Sequence, residues 1–221
     1  PRNAHKSAFG GLIMSGARPV YIEPEMNREF GISMGVTPEK VEWALLTHPN
    51  AKAVFLINPN YYGTASDLVK IVEIAHAYGV PVVVDEAHGA HLKFNPELPI
   101  SAMEAGADLA ASSTHKLAGS LTQSSMLFLK EGLVNPKKVK AVLNLTQTTS
   151  PSYILLSSLD VARKQIATKG EELIGRAVTL ANWVREEFKK IPGIKLFGED
   201  LVGQPGCYGF DPTKITINVR N

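Results

Sequence analysis

Apolar runs rich in β-branched residues alternate with stretches of helical periodicity along the first 130 residues of the chain. The predicted strands are residues 19–22, 53–57, 80–84, 109–112 and 125–129. The predicted helices are residues 5–14, 38–47 and 66–78. Because strands that alternate with helices form a mostly parallel sheet with helices on both faces, this order predicts an α/β fold.

Two polar segments come directly after predicted strands. Residues 80–84 are continuously apolar, which is typical of a central strand, and Asp85 comes next. The segment 113–116 succeeds the strand predicted at 109–112 in the same way. Ligands of open α/β sheets bind at the carboxyl ends of the strands, so both segments are expected at one binding edge.

The second half of the chain has a different pattern. Helical spacing recurs at residues 139–145, 153–167 and 171–191, and the alternating run 214–219 predicts a strand. We therefore divide the chain into a large α/β domain, bridging helices and the start of a smaller α+β domain. The predicted boundaries are 1–150, 151–192 and 193–221.

Composition excludes several classes of protein. The 221 residues carry a net charge of +2, with the basic residues spread among the acidic ones, so no nucleic-acid partner is expected. No apolar run is long enough to span a membrane, and no signal peptide opens the chain. With a single cysteine, Cys207, the sequence predicts a soluble protein of a reducing compartment, the cytoplasm.

Lys116 stands after an apolar run and among hydroxyl side chains. A lysine that is desolvated in such a place has a lowered pKa and becomes a nucleophile toward aldehydes. The candidate aldehyde is that of pyridoxal 5'-phosphate, which a lysine holds as a Schiff base.

The segment Asp85-Glu86-Ala87-His88 supports two interpretations. In the first, Asp85 is a carboxylate that keeps a pyridine nitrogen protonated. In the second, the segment is the Asp-Glu-Ala-His box of a helicase-type ATPase, with a Ser-Ser-Thr motif at residues 112–114. The phosphate-binding loop of such an ATPase is absent from the 221 residues of this sequence. Lys116 favours the first interpretation, since only a Schiff-base enzyme requires an amine there.

Four ordered motifs resemble those of the bacterial Orn/Lys/Arg decarboxylases, which are pyridoxal phosphate enzymes of the aspartate aminotransferase fold. The motifs lie at residues 2–7, 82–91, 113–117 and 147–153. The resemblance implies decarboxylation of arginine, lysine or ornithine to the amine and CO2, in polyamine metabolism. Arginine is weakly favoured, and another fold type I enzyme, an aminotransferase or an aldolase, remains the alternative.

The resemblance also implies a role for each motif residue. Lys116 matches the Schiff-base lysine, Asp85 the partner of the pyridine nitrogen, and His5 the imidazole that stacks on the ring. The remaining matches are Ser113 as a phosphate ligand, Ala87 and His88 flanking the cofactor, and His115 assisting proton delivery or contacting the phosphate. Thr149 and Ser150 would reach a partner subunit's cofactor, so a homodimer or higher homo-oligomer is expected.

Other residues are weaker candidates for a site. A zinc site from Glu86, His88 and His91 lacks a further ligand, so no metal is expected. Arg220 is a loose candidate for the carboxylate-binding arginine of an aminotransferase. The family's phosphate cup and C-terminal domain match nothing in these residues. The isolated chain is therefore expected to bind cofactor poorly and to have little activity.

Overall fold

A computed structural model describes residues 1–219 of the chain. The α-helices are α1 (Lys6–Ser15), α2 (Pro38–Thr47), α3 (Leu68–Ala77), α4 (Thr114–Leu117), α5 (Pro136–Thr146) and α6 (Tyr153–Lys189). The strands are β1 (Met26–Asn27), β2 (Ile32–Ser33), β3 (Val54–Ile57), β4 (Thr64–Ala65), β5 (Val82–Asp85), β6 (Leu109–Ser112), β7 (Met126–Leu129), β8 (Lys195–Phe197), β9 (Gly209–Phe210) and β10 (Thr216–Asn218). Short 3-10 turns lie at Leu92–Phe94 and Glu199–Leu201.

The central sheet has four strands in the order β3-β5-β6-β7. Strands β3, β5 and β6 are parallel, and β7 pairs antiparallel with β6. The register places Ile57 and Ala111 on either side of Asp85, so all three lie at one edge of the sheet. The predicted α/β fold with a mostly parallel sheet is confirmed, and so are the four strands predicted between residues 53 and 129.

One face of this sheet packs against α2 and α3. Strands β3 and β5 alternate buried and half-buried residues, so their buried side chains share one face. The core of this face includes residues from the sheet and from both helices: Val41, Leu45, Val54, Leu56, Leu68, Ile71, Val82, Val84 and Ala110. Burial of each such side chain stabilises the fold by roughly 1.5–3 kcal/mol relative to exposure. The opposite face, which includes Val83, Asp85 and Ala111, remains available for a cavity.

Local sequence signals explain where α2 and α3 begin. Thr37 accepts a hydrogen bond from the backbone N–H of Lys40 and thereby caps α2, and Pro38 occupies the first turn. Asp67 caps α3 in the same way through the N–H of Lys70. Both helices therefore begin within two residues of their predicted starts.

The strand predicted at residues 19–22 is wrong. Residues 17–25 contain no regular secondary structure, and Val20 and Tyr21 are exposed. Only Ile22 packs against the sheet core. The segment has β-propensity but, among the described residues, no strand beside it to pair with, and propensity without a partner does not make a sheet.

Helix α6 is one continuous helix of 37 residues, whereas the sequence predicted two helices separated near residue 170. Gly170 is buried inside it, and a Cβ atom there would lie 2.7 Å from Cδ1 of Phe94. Close packing of Phe94 against the helix offsets the roughly 1 kcal/mol that glycine costs a helix. Within residues 1–219, no helix combines the length and the apolar character that a membrane crossing requires.

The C-terminal residues fold back onto the first part of the chain. Strand β10 pairs antiparallel with β8, which confirms the strand predicted at 214–219, and β9 pairs with β4. A second apolar cluster forms there from residues distant in sequence: Met34, Phe197, Leu201, Cys207 and Phe210. Cys207 is a buried free thiol.

Candidate active site

A cavity of about 620 Å³ lies on the open face of the central sheet, at the carboxyl ends of β5 and β6. Its lining includes six of the seven site residues predicted from the sequence: His5, Asp85, Ala87, His88, Ser113 and Lys116. These residues come from the start of α1, the end of β5, the loop after β5, and the start of α4. The sheet therefore brings together segments that lie far apart in the sequence.

Asp85 is the last residue of β5 and is half-buried at the floor of the cavity. Its Oδ1 atom accepts a hydrogen bond from the backbone N–H of Ala87, at 3.1 Å. Its backbone carbonyl accepts another from the N–H of Asn58, at 3.0 Å. Both bonds fix the strand end, and the carboxylate can accept further hydrogen bonds from a group in the cavity.

Lys116 lies in the single turn of α4, opposite the loop after β5. Its Nζ atom is 3.4 Å from Nε2 of His88. The residue is exposed, so the expectation that burial desolvates this lysine is wrong. Helix α4 comes directly after the sheet edge, and a side chain there reaches the cavity from its open side.

His88 is half-buried and faces positive charge. Burial, followed by the charges of Lys116 and Lys214, lowers the pKa of His88 to about 4. The imidazole is therefore neutral near pH 7, and one of its ring nitrogens can accept a hydrogen bond. The ring of Tyr61 contacts it edge to face, with 5.3 Å between ring centroids.

His5 and Ser113 border the cavity at the beginnings of two helices. His5 is the N-cap of α1, and its Nδ1 accepts the N–H of Ser7 at 3.3 Å. Ser113 is the N-cap residue of α4, but its hydroxyl makes no capping hydrogen bond. That hydroxyl can face a ligand, and hydroxyls beside a helix start are common anion ligands.

The structure does not bring His115 to the cavity. Its Nδ1 atom lies 2.7 Å from the carbonyl oxygen of Ser124, and the residue is not part of the lining. Successive helical residues point about 100° apart, so Lys116 and His115 cannot both face the same side. The ring of His115 instead ties α4 to the loop before β7.

Glu86 is buried below the cavity and does not line it. Its Oε1 atom accepts a hydrogen bond from the N–H of Ala102, at 2.6 Å. Burial raises the pKa of Glu86 to about 7, although this hydrogen bond opposes the rise. A carboxylate held in this way cannot handle metal or water as the ATPase interpretation requires.

Three residues near the cavity were not predicted: Asp211, Thr213 and Lys214. Nε2 of His91 lies 2.9 Å from Oδ2 of Asp211, and both side chains are at most 2% exposed. Lys214 lies 3.8 Å from the same oxygen. His91 is thus engaged by Asp211 and not by the proposed zinc partners, and in the described part of the chain no three His, Cys, Asp or Glu side chains come together as metal ligands would.

A second, larger cavity of about 1130 Å³ lies between residues 92–100 and 166–172. None of the predicted site residues lines it. No lysine and carboxylate lie together at a strand end in the lining of this larger cavity. The cavity at β5 and β6 is therefore the candidate active site.

A mostly parallel α/β sheet with a lysine, a carboxylate and imidazoles at its carboxyl edge is typical of α/β proteins that bind small molecules at that edge. The family model described as "Orn/Lys/Arg decarboxylase, major domain" matches residues 1–218. The chain therefore belongs to this family. The ATPase interpretation is wrong.

Similar proteins include two bacterial arginine decarboxylases. That of Bacillus subtilis (strain 168) is 52% identical over 221 residues, which are 100% of this chain and 45% of that protein. That of Bacillus cereus is 51% identical and is covered to 48%. The chain thus spans about half the length of these curated relatives.

Solved structures show the same fold. The constitutive lysine decarboxylase of Escherichia coli superposes with a TM-score of 0.75 and 24% identity, covering 98% of this chain and 36% of that one. Lysine decarboxylase A of Pseudomonas aeruginosa gives a TM-score of 0.76 and 23% identity, covering 97% and 36%. At these identities the likeness establishes the fold.

Proposed function

We propose that the protein containing this chain is a pyridoxal phosphate-dependent decarboxylase that converts arginine to its amine and CO2. The observation that carries this proposal is that Lys116 and Asp85 line one cavity at adjacent strand ends. Family membership supports the reaction class, and the names of the relatives that are 51–52% identical support arginine over lysine or ornithine.

The donor set of the cavity fits pyridoxal 5'-phosphate. A pyridinium nitrogen requires a carboxylate, which Asp85 offers, and an aldehyde requires an amine, which Lys116 offers. The hydroxyl of Ser113 makes no capping hydrogen bond and suits a phosphate oxygen. Apolar side chains of the sheet, among them Val83 and Leu109, provide a surface for an aromatic ring.

When bound, the cofactor supplies an electron sink for the bonding pair released as CO2 departs. Asp85 would hold a proton at the pyridine nitrogen of the bound cofactor. His5 and Ala87 would border the ring, and Ser113 would hold the phosphate. Lys116 would hold the cofactor through Nζ, and after the substrate amine takes that place, the free Nζ would hold the proton that is returned to the substrate Cα.

The remaining assignments concern the two histidines beside Lys116. The neutral His88 accepts a hydrogen bond from Nζ of Lys116, which is 3.4 Å away, and orients it toward the cavity. The ring of His115 lies outside the cavity lining and contacts the carbonyl oxygen of Ser124. Its role is therefore structural, since it holds α4 in place. Proton delivery therefore falls to Lys116 and not to His115.

We also propose a cytoplasmic homodimer that acts in polyamine metabolism. Thr149 and Ser150 are exposed, as a contribution to a partner subunit's site requires. Tyr153 and Ile154 at the start of α6 are 80% and 73% exposed, and apolar side chains of this kind suit a subunit interface. The domain boundaries 1–150, 151–192 and 193–221 belong to the same proposal.

The test uses the full-length protein that contains this chain, supplied with pyridoxal phosphate. We expect CO2 release with arginine at the highest kcat/KM, and lower values with lysine and ornithine. The isolated 221 residues should release little CO2. Absence of CO2 release with all three amino acids would contradict the reaction, while a preference for lysine or ornithine would contradict only the substrate assignment.

A further inference from the structure

A buried histidine–aspartate pair close to the cavity is not used by the chemistry described above. The side chains of His91 and Asp211 are 2% and 0% exposed, and Nε2 and Oδ2 lie 2.9 Å apart. Burial by itself would raise the pKa of Asp211, but His91 and the hydroxyl of Thr213 lower it. Polar side chains removed from water need hydrogen-bond partners, so this pair depends on its other contacts.

The second carboxylate oxygen of Asp211 is bound by Thr213. Oδ1 accepts the hydroxyl of Thr213 at 2.7 Å and its backbone N–H at 3.0 Å. The backbone N–H of Asp211 donates to the carbonyl of Gly63, at 2.9 Å. A Cβ on Gly63 would lie 3.0 Å from the carbonyl oxygen of Asp211, so the two backbones are in close contact.

Arg185 of α6 holds the same C-terminal segment from the other side. Its guanidinium donates to the backbone carbonyls of Phe197, Pro212 and Lys214. It also lies over the ring of Phe210, 5.1 Å from the centroid. The segment is thereby fixed against α6.

His91 connects this fixed segment to the active site. It ends the turn 86–91, which begins directly after Asp85 and carries Ala87 and His88. The backbone N–H of Gly89 donates to the carbonyl of Glu86, and that of Leu92 donates to the carbonyl of Gly89. The turn is compact, so holding His91 in place also holds His88.

We propose that Asp211 is a positioning residue that holds the turn 86–91, and with it His88, beside Lys116. The inference rests on the proposed function, because the importance of His88 follows from the assignment of Lys116. Asp211 also lies 3.8 Å from the ammonium of Lys214 and so keeps a second cation near His88. The groups that influence the charge of His88 are Lys116 on α4, Lys214 and Asp211 on the C-terminal segment, and His5 at the start of α1.

The chain provides a matched control pair. Nε2 of His76 lies 2.8 Å from Oδ2 of Asp108, and Asp108 is also buried. Asp108 precedes β6 and accepts the N–H of Val82, so this pair lies at the amino ends of the strands, opposite the cavity. Asp211→Asn and Asp108→Asn each remove a buried carboxylate charge from a histidine–aspartate pair, with His76 32% exposed and His91 2% exposed.

The first measurement is amide hydrogen exchange of the cofactor-free, full-length protein. In Asp211→Asn we expect exchange of peptides covering residues 86–91 to be at least tenfold faster than in the wild type. In Asp108→Asn, amide exchange of the peptides covering residues 86–91 should stay within twofold of the wild-type rate, even if that variant is equally destabilised. Unchanged exchange at 86–91 in Asp211→Asn, or an equal increase in both variants, overturns the positioning role.

The second measurement is made on the loaded enzyme. Asp211→Asn should weaken pyridoxal phosphate binding at least fivefold and shift the pH profile of kcat/KM, whereas Asp108→Asn should change neither. In a His88→Gln background, Asp211→Asn should no longer shift the profile. If the wild type fails to bind cofactor, the proposed function fails, but hydrogen exchange still decides whether Asp211 holds the turn.

Discussion

Nζ of Lys116 and Nε2 of His88 lie 3.4 Å apart, although 28 positions separate the two residues in the chain. Lys116 comes after β6 and His88 after β5, and these strands are parallel neighbours. Their carboxyl ends therefore place both side chains at one edge of the sheet. This contact defines the side of the cavity at which the amine of Lys116 lies.

Replacing Lys116 with alanine should remove covalent attachment of the cofactor and lower turnover by about 10³-fold or more, because no other amine is assigned to that position. The visible absorbance of the full-length protein with pyridoxal phosphate measures the attachment, and CO2 release measures turnover. Lys52→Ala, in the exposed loop before β3, is the control and should behave like the wild type. Retention of both signals in Lys116→Ala would refute the assignment.

Replacing Asp85 with alanine should leave covalent attachment intact but slow decarboxylation by on the order of 10²–10⁴-fold, since no carboxylate then holds the proton at the pyridine nitrogen. The two effects are separated by measuring absorbance and CO2 release on the same sample. Asp108→Asn at the opposite edge is the control. Near-normal CO2 release from Asp85→Ala would show that another group fulfils this role.

The raised pKa of Glu86 predicts that the stability of the fold depends on pH. Burial raises its pKa to about 7, so this carboxyl favours the folded state fully below its unfolded pKa, near 4.5, and loses that contribution as pH rises through 7. Glu86→Gln keeps an oxygen for the N–H of Ala102 and carries no charge. We expect it to raise the free energy of unfolding at pH 8 by on the order of 1–3 kcal/mol, with little effect at pH 4.

Urea denaturation of wild type and Glu86→Gln at pH 4, 6 and 8 measures this difference. Glu73→Gln, at an exposed position of α3, controls for the loss of a surface charge. A constant difference between wild type and Glu86→Gln at all three pH values would contradict the raised pKa.

The lowered pKa of His88 predicts the opposite dependence of stability on pH. Burial and the two lysine charges lower its pKa to about 4, below the unfolded value of 6.5. The contribution of the neutral imidazole to stability is therefore fully present above pH 6.5 and is lost as pH falls from 6.5 through 4. Lys214→Met removes one of these charges and should raise the pKa of His88. An NMR titration of the imidazole measures the change; a pKa that does not move would exclude an influence of Lys214.

The close packing around Gly89 leaves no room for a larger side chain in the turn after β5. A Cβ there would lie 2.6 Å from Cγ of Glu86, 2.9 Å from Cδ1 of Leu92 and 2.9 Å from Cδ of Pro59. Gly89→Ala should therefore destabilise the fold by about 1–3 kcal/mol. Thermal unfolding compared with Gly11→Ala, where a Cβ meets nothing within 4 Å, measures the effect. Equal unfolding temperatures of the two variants would show that the turn can accommodate a Cβ atom at residue 89.

The parallel sheet and six of the residues that line the cavity could be predicted from the sequence. The apolar runs ending at Val84 and Ser112 are long enough and apolar enough to form buried strands. A parallel sheet then places the polar residues beyond them, Asp85 and Lys116, at the same edge. This inference needs only local periodicity and a general rule of topology.

The direction of each side chain, and the contacts that hold it, came from the tertiary structure. Neighbours in one helical turn point in different directions, so Lys116 lines the cavity while His115 contacts Ser124. The contact of His91 with Asp211 depends on the C-terminal segment folding back so that β9 pairs with β4. Such contacts between distant segments follow from packing of the whole chain, and no local pattern of residues encodes them.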